Sequence, residues 1–332
     1  MSSPLPDARA TPVPPGLIET IQAGFNTVNR NLWLLLLPLA LDVALWLGPQ
    51  LTAGGLAESW LRQVAAPPGT NQEVVRTVED NRRAALESIR GGGGLAQYNV
   101  LSLLAVPVLG FGVPSFRALE GAPGMGPTLA LASGSALGAT AVASLVLGIS
   151  LAALFYGLMG QAVREGRVAP QTFAGEFRAV FFSTWGVFAL FMVVLIGLGL
   201  PLAGLLVITG SVSIVVANML GSVAVGMLIW ALVYLFFTTD AVYVSRVPPF
   251  AAVQRSVVVV RTNFWPTLGF IGLLTIISMG LPIIWSELAH SLQAPGMALG
   301  ILGHDYITSG VAAASMTYYK VRVARLEEVT GG

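Results

Sequence analysis

Apolar positions along this chain fall into long unbroken runs and short stripes with helical spacing. The runs extend roughly from Trp33 to Gly48 and Gly134 to Gly160, from Thr184 to Val207 and Val212 to Phe237, and from Phe264 to Leu288 and Met297 to Tyr319. About 20 apolar residues coiled as a helix match the thickness of a bilayer's hydrocarbon core. Hydrocarbon offers backbone amides no water partner, so such runs must be helical. The pattern predicts an all-α, polytopic membrane helical bundle of six spans in three out-and-back pairs. The short alternating strands of a barrel are absent from the pattern.

The stripes repeat in register. Ile21, Phe25, Val28 and Leu32 lead into Trp33; Phe173, Phe177, Val180 and Thr184 lead into Trp185; Val253, Val257, Val260 and Phe264 lead into Trp265. Positions i, i+4, i+7 and i+11 form one face of a helix. Asn29, Arg30, Glu176, Arg178, Gln254, Arg255 and Arg261 supply polar neighbours. Three helix-hairpin repeats are therefore expected, each preceded by an interfacial amphipathic helix, with Trp33, Trp185, Trp265, Arg261 and Asn263 as interfacial anchors. The divisions are a disordered cytoplasmic tail over 1–15, a first repeat over 16–160, a second over 161–246, a third over 247–320 and a second cytoplasmic tail over 321–332.

Charge gives this arrangement a direction. Arg9, Arg30, Arg164, Arg167, Arg178, Arg246, Arg255, Arg261, Lys320, Arg322 and Arg325 fall on one side of the expected bundle. An excess of basic residues marks the cytoplasmic face, so both termini are expected there, in a bacterial inner membrane. The other basic residues, Arg62, Arg76, Arg82, Arg83, Arg90 and Arg117, lie in an extracytoplasmic insertion over 49–133. Long translocated segments follow the charge rule poorly.

Within the insertion, Val75, Val78, Arg82, Leu86 and Ile89 have helical spacing, and Glu79 stands one i,i+4 step before Arg83. A helix is expected over Asn71 to Arg90, followed by a hinge at Gly91 to Gly94. Asn99 to Phe116 is apolar for about 18 residues, long enough to cross, but carries Pro107 and Pro114. A re-entrant or interfacial segment is expected there, with a seventh span as the alternative.

Composition agrees with a lipid environment. Hydrophobic residues make up 55% of the 332 and charged residues 10%, where a soluble domain carries about 25% charged. Zero cysteines remove disulfides, thiolate metal sites and thiol catalysis. A net charge of +1 offers no basic surface for nucleic acid.

The stretch Phe236 to Ile276, through Ala251, Ala252, Arg255, Ser256, Val260, Arg261, Asn263, Phe264 and Trp265, resembles the membrane domain found beside bacterial glycerophosphodiester phosphodiesterases, and related stand-alone multi-span proteins. The ending Tyr318, Tyr319, Lys320, Val321, Arg322 and Glu327 is similar too. The resemblance covers roughly the last third of the chain. Where the family commonly has an acidic residue after the span preceding the interfacial helix, this chain has Ser245 and Arg246. The phosphodiesterase activity belongs to a separate barrel, so the resemblance implies a fold and no catalytic residues.

No phosphate loop, nucleophile elbow, paired metal-ligand histidines or dinucleotide fingerprint occurs. Gly197, Gly199 and Gly204, and the pairs Gly134 with Gly138 and Gly296 with Gly300, suit close helix packing. Ionisable residues at membrane depth are costly without partners and mark candidate sites. Asp42 lies nine residues past Trp33, about 13 Å into the membrane at 1.5 Å per residue. His304 and Asp305 lie in the outer half of the last span. Together they form a candidate intramembrane polar site, read either as a polar or proton-linked cavity or as a structural pair capping the bundle. Asp240, Arg261 and Asn263 are expected at the cytoplasmic interface, where headgroup or inter-repeat contacts suffice.

The chain is thus expected to be a non-catalytic membrane scaffold or accessory protein, with a transporter or binding protein for a lipid or small solute as the alternative and a membrane-embedded enzyme third. No cofactor and no metal is expected. Expected partners are membrane lipid and a membrane protein or a second copy of the chain; nucleic acid is not. A filled interior would suit a scaffold, and a polar cavity open to one face would suit transport.

Overall fold

A computed structural model describes residues 15–65, 69–90, 98–105, 112–120 and 124–330. Most of the N-terminal tail and the expected hinge at Gly91 to Gly94 lie outside the described residues. Helix dominates, in agreement with the all-α expectation. Among the described residues four helices are long and apolar enough to cross a membrane: α6 (Gly134–Glu165), α7 (Pro170–Val212), α8 (Ile214–Leu235) continued through α9 (Thr238–Ser245), and α11 (Phe264–Thr330). The bent pair α1 (Leu17–Arg30) and the segment Leu32–Leu47, which holds α2 (Leu36–Leu47), makes a fifth if counted as one crossing. These helices place the chain in a membrane.

Local sequence explains where the helices start and stop. The Ser133 hydroxyl accepts a hydrogen bond from the Ala136 amide to begin α6, and Gly166 ends it in the left-handed region at φ 74°. Pro170 opens α7 at a position where no amide hydrogen is needed. A single extended residue, Ser213, separates α7 from α8. α11 contains 67 residues, about 100 Å if straight, far more than one crossing requires. It is two helices meeting at Gln293, whose φ of 56° and ψ of −130° are not helical. The first arm runs over 264–292 and the second over 294–330.

The three leading helices do not join their spans alike. α1 ends at Asn31, with φ −135° and ψ 47°, and α10 (Pro249–Thr262) ends at Asn263, with φ −127° and ψ 39°. At both joints the asparagine amide reaches back four residues to a carbonyl, Thr27 at 2.9 Å and Val259 at 3.3 Å. Counting from the tryptophan, the residue in the same place in the middle stretch is Ser183, and there α7 runs through unbroken. At the first joint the chain turns by 86°.

α1 packs on protein along its face. Thr20, Gly24 and Val28 are buried, and the helix lies antiparallel along the second arm of α11. A Cβ at Gly24 would stand 2.7 Å from that of Ala314, and one at Gly310 would meet the Phe25 ring at 2.6 Å. Glycines let the two backbones meet, as small residues do where no hydrophobic force drives helices together. The Tyr306 hydroxyl donates to Asn29 at 2.9 Å and its ring packs 5.6 Å from that of Phe25. The buried face of α1 thus forms a seam with the second arm of α11.

Polar residues cluster at the end of the bundle that holds the close of α6. Arg164 pairs with Glu176 at 3.5 Å, Arg246 with Glu165 at 3.7 Å and with Glu176. Lys320 donates to the carbonyls of Val163 and Arg164, the last turn of α6, at 2.9 and 3.1 Å. Partly exposed pairs of this kind contribute at most about 1 kcal/mol each. Their value is geometric, since they draw α6, α7, α9 and α11 to one end.

The insertion contains α3 (Gly54–Gln63) and α4 (Gln72–Arg90), the latter where helical spacing predicts it. Glu79 pairs with Arg82 at 2.5 Å and Arg83 at 3.3 Å. The Arg82 hydrogen bond leads the effects that hold the Glu79 carboxyl below its ordinary pKa. A small parallel ribbon, β1 (Gln50–Thr52) with β2 (Thr128–Ala130), was not foreseen from the pattern. The described parts of Asn99 to Phe116 hold a 3-10 turn at Val100–Leu104 and buried non-helical residues from Gly112 to Ser115, so no uninterrupted helix forms there. The turn packs on Gly148 of α6, where a Cβ would meet the Leu104 backbone at 2.9 Å. α5 (Phe116–Glu120) follows.

Between α8 and α9 the helical ladder is interrupted at Phe236 and Phe237. Ser256 of α10, fully buried, fills the gap: its hydroxyl donates to the Tyr234 carbonyl at 2.8 Å and accepts from the Phe237 amide at 3.1 Å. A buried backbone group left without a partner costs about 1–3 kcal/mol. Ser256→Ala should therefore lower thermal stability in detergent by an amount in that range. An unchanged melting midpoint would show that the break needs no hydroxyl.

Candidate functional site

Asp42 sits on α2 and is fully buried. Its Oδ2 accepts from the Phe116 amide at 2.8 Å, and its Oδ1 accepts from the Arg117 amide at 3.2 Å and from the Ser115 hydroxyl. The carboxylate thus caps the start of α5 from another part of the chain, meeting amides that an N-terminal turn leaves unsatisfied. Arg117, assigned to the translocated surface by its position in the sequence, is instead 3% exposed and lies within electrostatic reach of Asp42.

The second arm of α11 brings His304 and Asp305 to this place. Asp305 is fully buried and close enough to Asp42 for the two carboxyls to repel when charged. Neither oxygen of Asp305 has a hydrogen-bond partner among the described residues. The His304 ring packs 5.7 Å from that of Phe116, whose amide binds Asp42, and its Nε2 stands 3.3 Å from the Thr308 hydroxyl. Ser115, Phe116 and Arg117 complete the cluster. They were invisible to the sequence reading because they sit over 70 residues from Asp42, on a segment that crosses no membrane as a helix.

A second polar place lies along the same arm. A cavity of about 540 Å³ opens between α8–α9 and the two arms of α11, closed behind by Tyr156 of α6 and Phe191 of α7. Asp240, expected at the cytoplasmic interface with headgroup or inter-repeat contacts, is 5% exposed and lines this cavity. The Ser315 hydroxyl donates to its Oδ2 at 2.5 Å. Thr308 also lines the cavity, so one face of the second arm presents His304, Thr308 and Ser315 in helical spacing from the Asp42 cluster to Asp240. The signal in the sequence was Thr238–Thr239–Asp240, three polar residues directly after an apolar span, together with Ser315 in the last one.

The anchors diverge. Trp33 is 44% and Trp265 77% exposed, whereas Trp185 is half-buried between Phe181 and Phe188 with its indole N–H buried and unpartnered among the described residues. Arg261 is exposed, and Asn263 holds the end of α10.

Long apolar helices define a polytopic α-helical membrane protein with polar groups buried between them. Comparison with family models, with curated proteins and with solved structures yields no match to this chain. Among the described residues no group of three or more His, Cys, Asp or Glu is placed to hold a metal ion.

The two aspartates of the Asp42 cluster differ in partners and should differ in effect. Asp42→Ala strands two buried amides and a hydroxyl, and should lower stability by about 3 kcal/mol, in the range for breaking buried charged networks. Asp305→Asn removes a carboxyl that would repel Asp42 when ionised and that has no hydrogen-bond partner among the described residues, and should leave the melting midpoint unchanged or raise it. Equal losses from both substitutions would contradict this asymmetry.

Proposed function

We propose that the chain is a membrane protein that binds a lipid or small solute in the cavity between α8–α9 and the arms of α11, as a transporter or as an intramembrane binding protein. The observation that carries this reading is the cavity itself. Its volume falls within the range of about 300–1,000 Å³ that small-molecule sites occupy, and it combines an apolar wall with Asp240, Thr238, Thr308 and Ser315. A purely structural scaffold calls for an interior filled by side chains.

The reading includes a topology. We take α6, α7, α8–α9 and the two arms of α11 as five crossings and α1–α2 as a sixth, broken at Asn31. Three helix hairpins of this kind place both termini and the basic loops on the cytoplasmic face of a bacterial inner membrane. The segment from Asn99 to Phe116 is then re-entrant, its irregular backbone tolerated because protein surrounds it. The matching asparagine joints of α1 and α10 support a repeat, with the middle unit diverged at Ser183. On this reading the fold resembles that of the membrane domain associated with glycerophosphodiester phosphodiesterases.

Single cysteines test the topology in a chain that has none. Ser88→Cys should react with an impermeant thiol reagent from outside intact cells, whereas Arg167→Cys and Arg325→Cys should react only after permeabilisation. Labelling of Arg167→Cys from outside would overturn the arrangement of crossings.

A further inference from the structure

We propose that the cavity takes an organic cation with an apolar body, its charge seated at Asp240. The inference rests on the cavity being the binding site and adds the class of ligand. Of the residues lining the cavity, Asp240 is the sole carboxylic acid, and none is Lys, Arg or His. An acid facing such a wall attracts a positive charge, and in a poorly screened surrounding that attraction is stronger than in water.

Two aromatic rings stand at the same end. Tyr156 and Tyr243 line the cavity with centroids 5.6 Å apart, both close enough to Asp240 to feel its charge. Ring faces beside a carboxylate suit a protonated or quaternary ammonium group, or another delocalised cation. The Thr238 hydroxyl, on a residue 1% exposed, lines the cavity without a hydrogen-bond partner among the described residues. It is a buried hydroxyl left unsatisfied two residues before the acid.

The remainder of the lining suits the body of such a molecule. Phe191, Leu274 and Met316 form apolar wall, and methionine adapts its shape to varied ligands. Two lining residues, Leu232 of α8 at 43% and Met279 in the first arm of α11 at 69%, are also exposed on the bundle's apolar outside. The cavity thus opens sideways, toward hydrocarbon, between α8 and the first arm. A ligand that already partitions into the bilayer reaches Asp240 by that route.

The test is equilibrium dialysis of the purified full chain in a neutral maltoside detergent, against protein-free micelles. The probes are three similar apolar bodies of different charge: tetraphenylphosphonium, triphenylphosphine oxide and tetraphenylborate. Tetraphenylphosphonium should bind saturably, at least tenfold more tightly than the neutral oxide, and the borate should not bind. Asp240→Asn should weaken the cation at least tenfold and leave the oxide unchanged. Ala312→Trp, which fills the cavity, should remove both.

Equal binding of cation and oxide, insensitive to Asp240→Asn but lost in Ala312→Trp, would overturn the cation and keep the cavity. Failure of all three probes to bind saturably would overturn the cavity reading and the inference with it. If Asp240→Asn does not fold, the order of the three probes on the unaltered protein decides the matter alone.

Discussion

A helix that breaks inside hydrocarbon frees amides and carbonyls that no solvent will meet, and most of this architecture follows from how the breaks are supplied. Each interruption described here has a side chain assigned to it from nearby or from far along the chain. Asn31 and Asn263 reach back to their own helices, and Ser256 crosses to the gap before α9. Asp42 crosses to the start of α5. These contacts fix where helices turn, and the turns in turn bring α1 onto the second arm of α11 and leave the cavity beside α9.

This explains which parts were legible in the sequence. Long apolar runs report directly on length and environment, so the membrane location and the helices over 134–165 and 214–235 were plain. The helix in the insertion was plain too, because Val75, Leu86 and Ile89 keep one helical face and Glu79 finds Arg83. Periodicity, however, is silent about breaks. The stripe before Trp185 is as regular as its two counterparts, yet α7 continues where the others turn, because Ser183 stands where they have asparagine. The stripe before Trp33 did mark a buried face, but the cover proved to be the end of the chain.

The candidate site was legible in part for a related reason. An aspartate in an apolar run is conspicuous, and Asp42 and Asp305 were found that way. Their neighbours Ser115 and Arg117 sit in an ordinary-looking loop, and only the fold brings them to Asp42. Asp240 was seen, but headgroup and inter-repeat contacts could not be told apart for a residue at the end of a span. α9 packs against α6, α10 and α11, so Asp240 is buried among other helices, and packing of that kind leaves no mark in hydropathy.

The hairpin of α7 and α8 stands apart from all this. Its most apolar stretches are almost unburied, at 0% and 6%, and Val193, Leu198, Val207, Ile214 and Val225 face outward on it. The contacts that hold it to the bundle lie at its base, where Thr184 meets Tyr243 at 3.2 Å and Ser256 meets the end of α8. α7 alone has 43 residues, about 65 Å of helix, more than twice the hydrocarbon thickness. A helix longer than the core it crosses relieves the mismatch by tilting. A hairpin this long and this little buried can meet bilayers of different thickness by changing its tilt, and Leu232, which lines the cavity, lies on it.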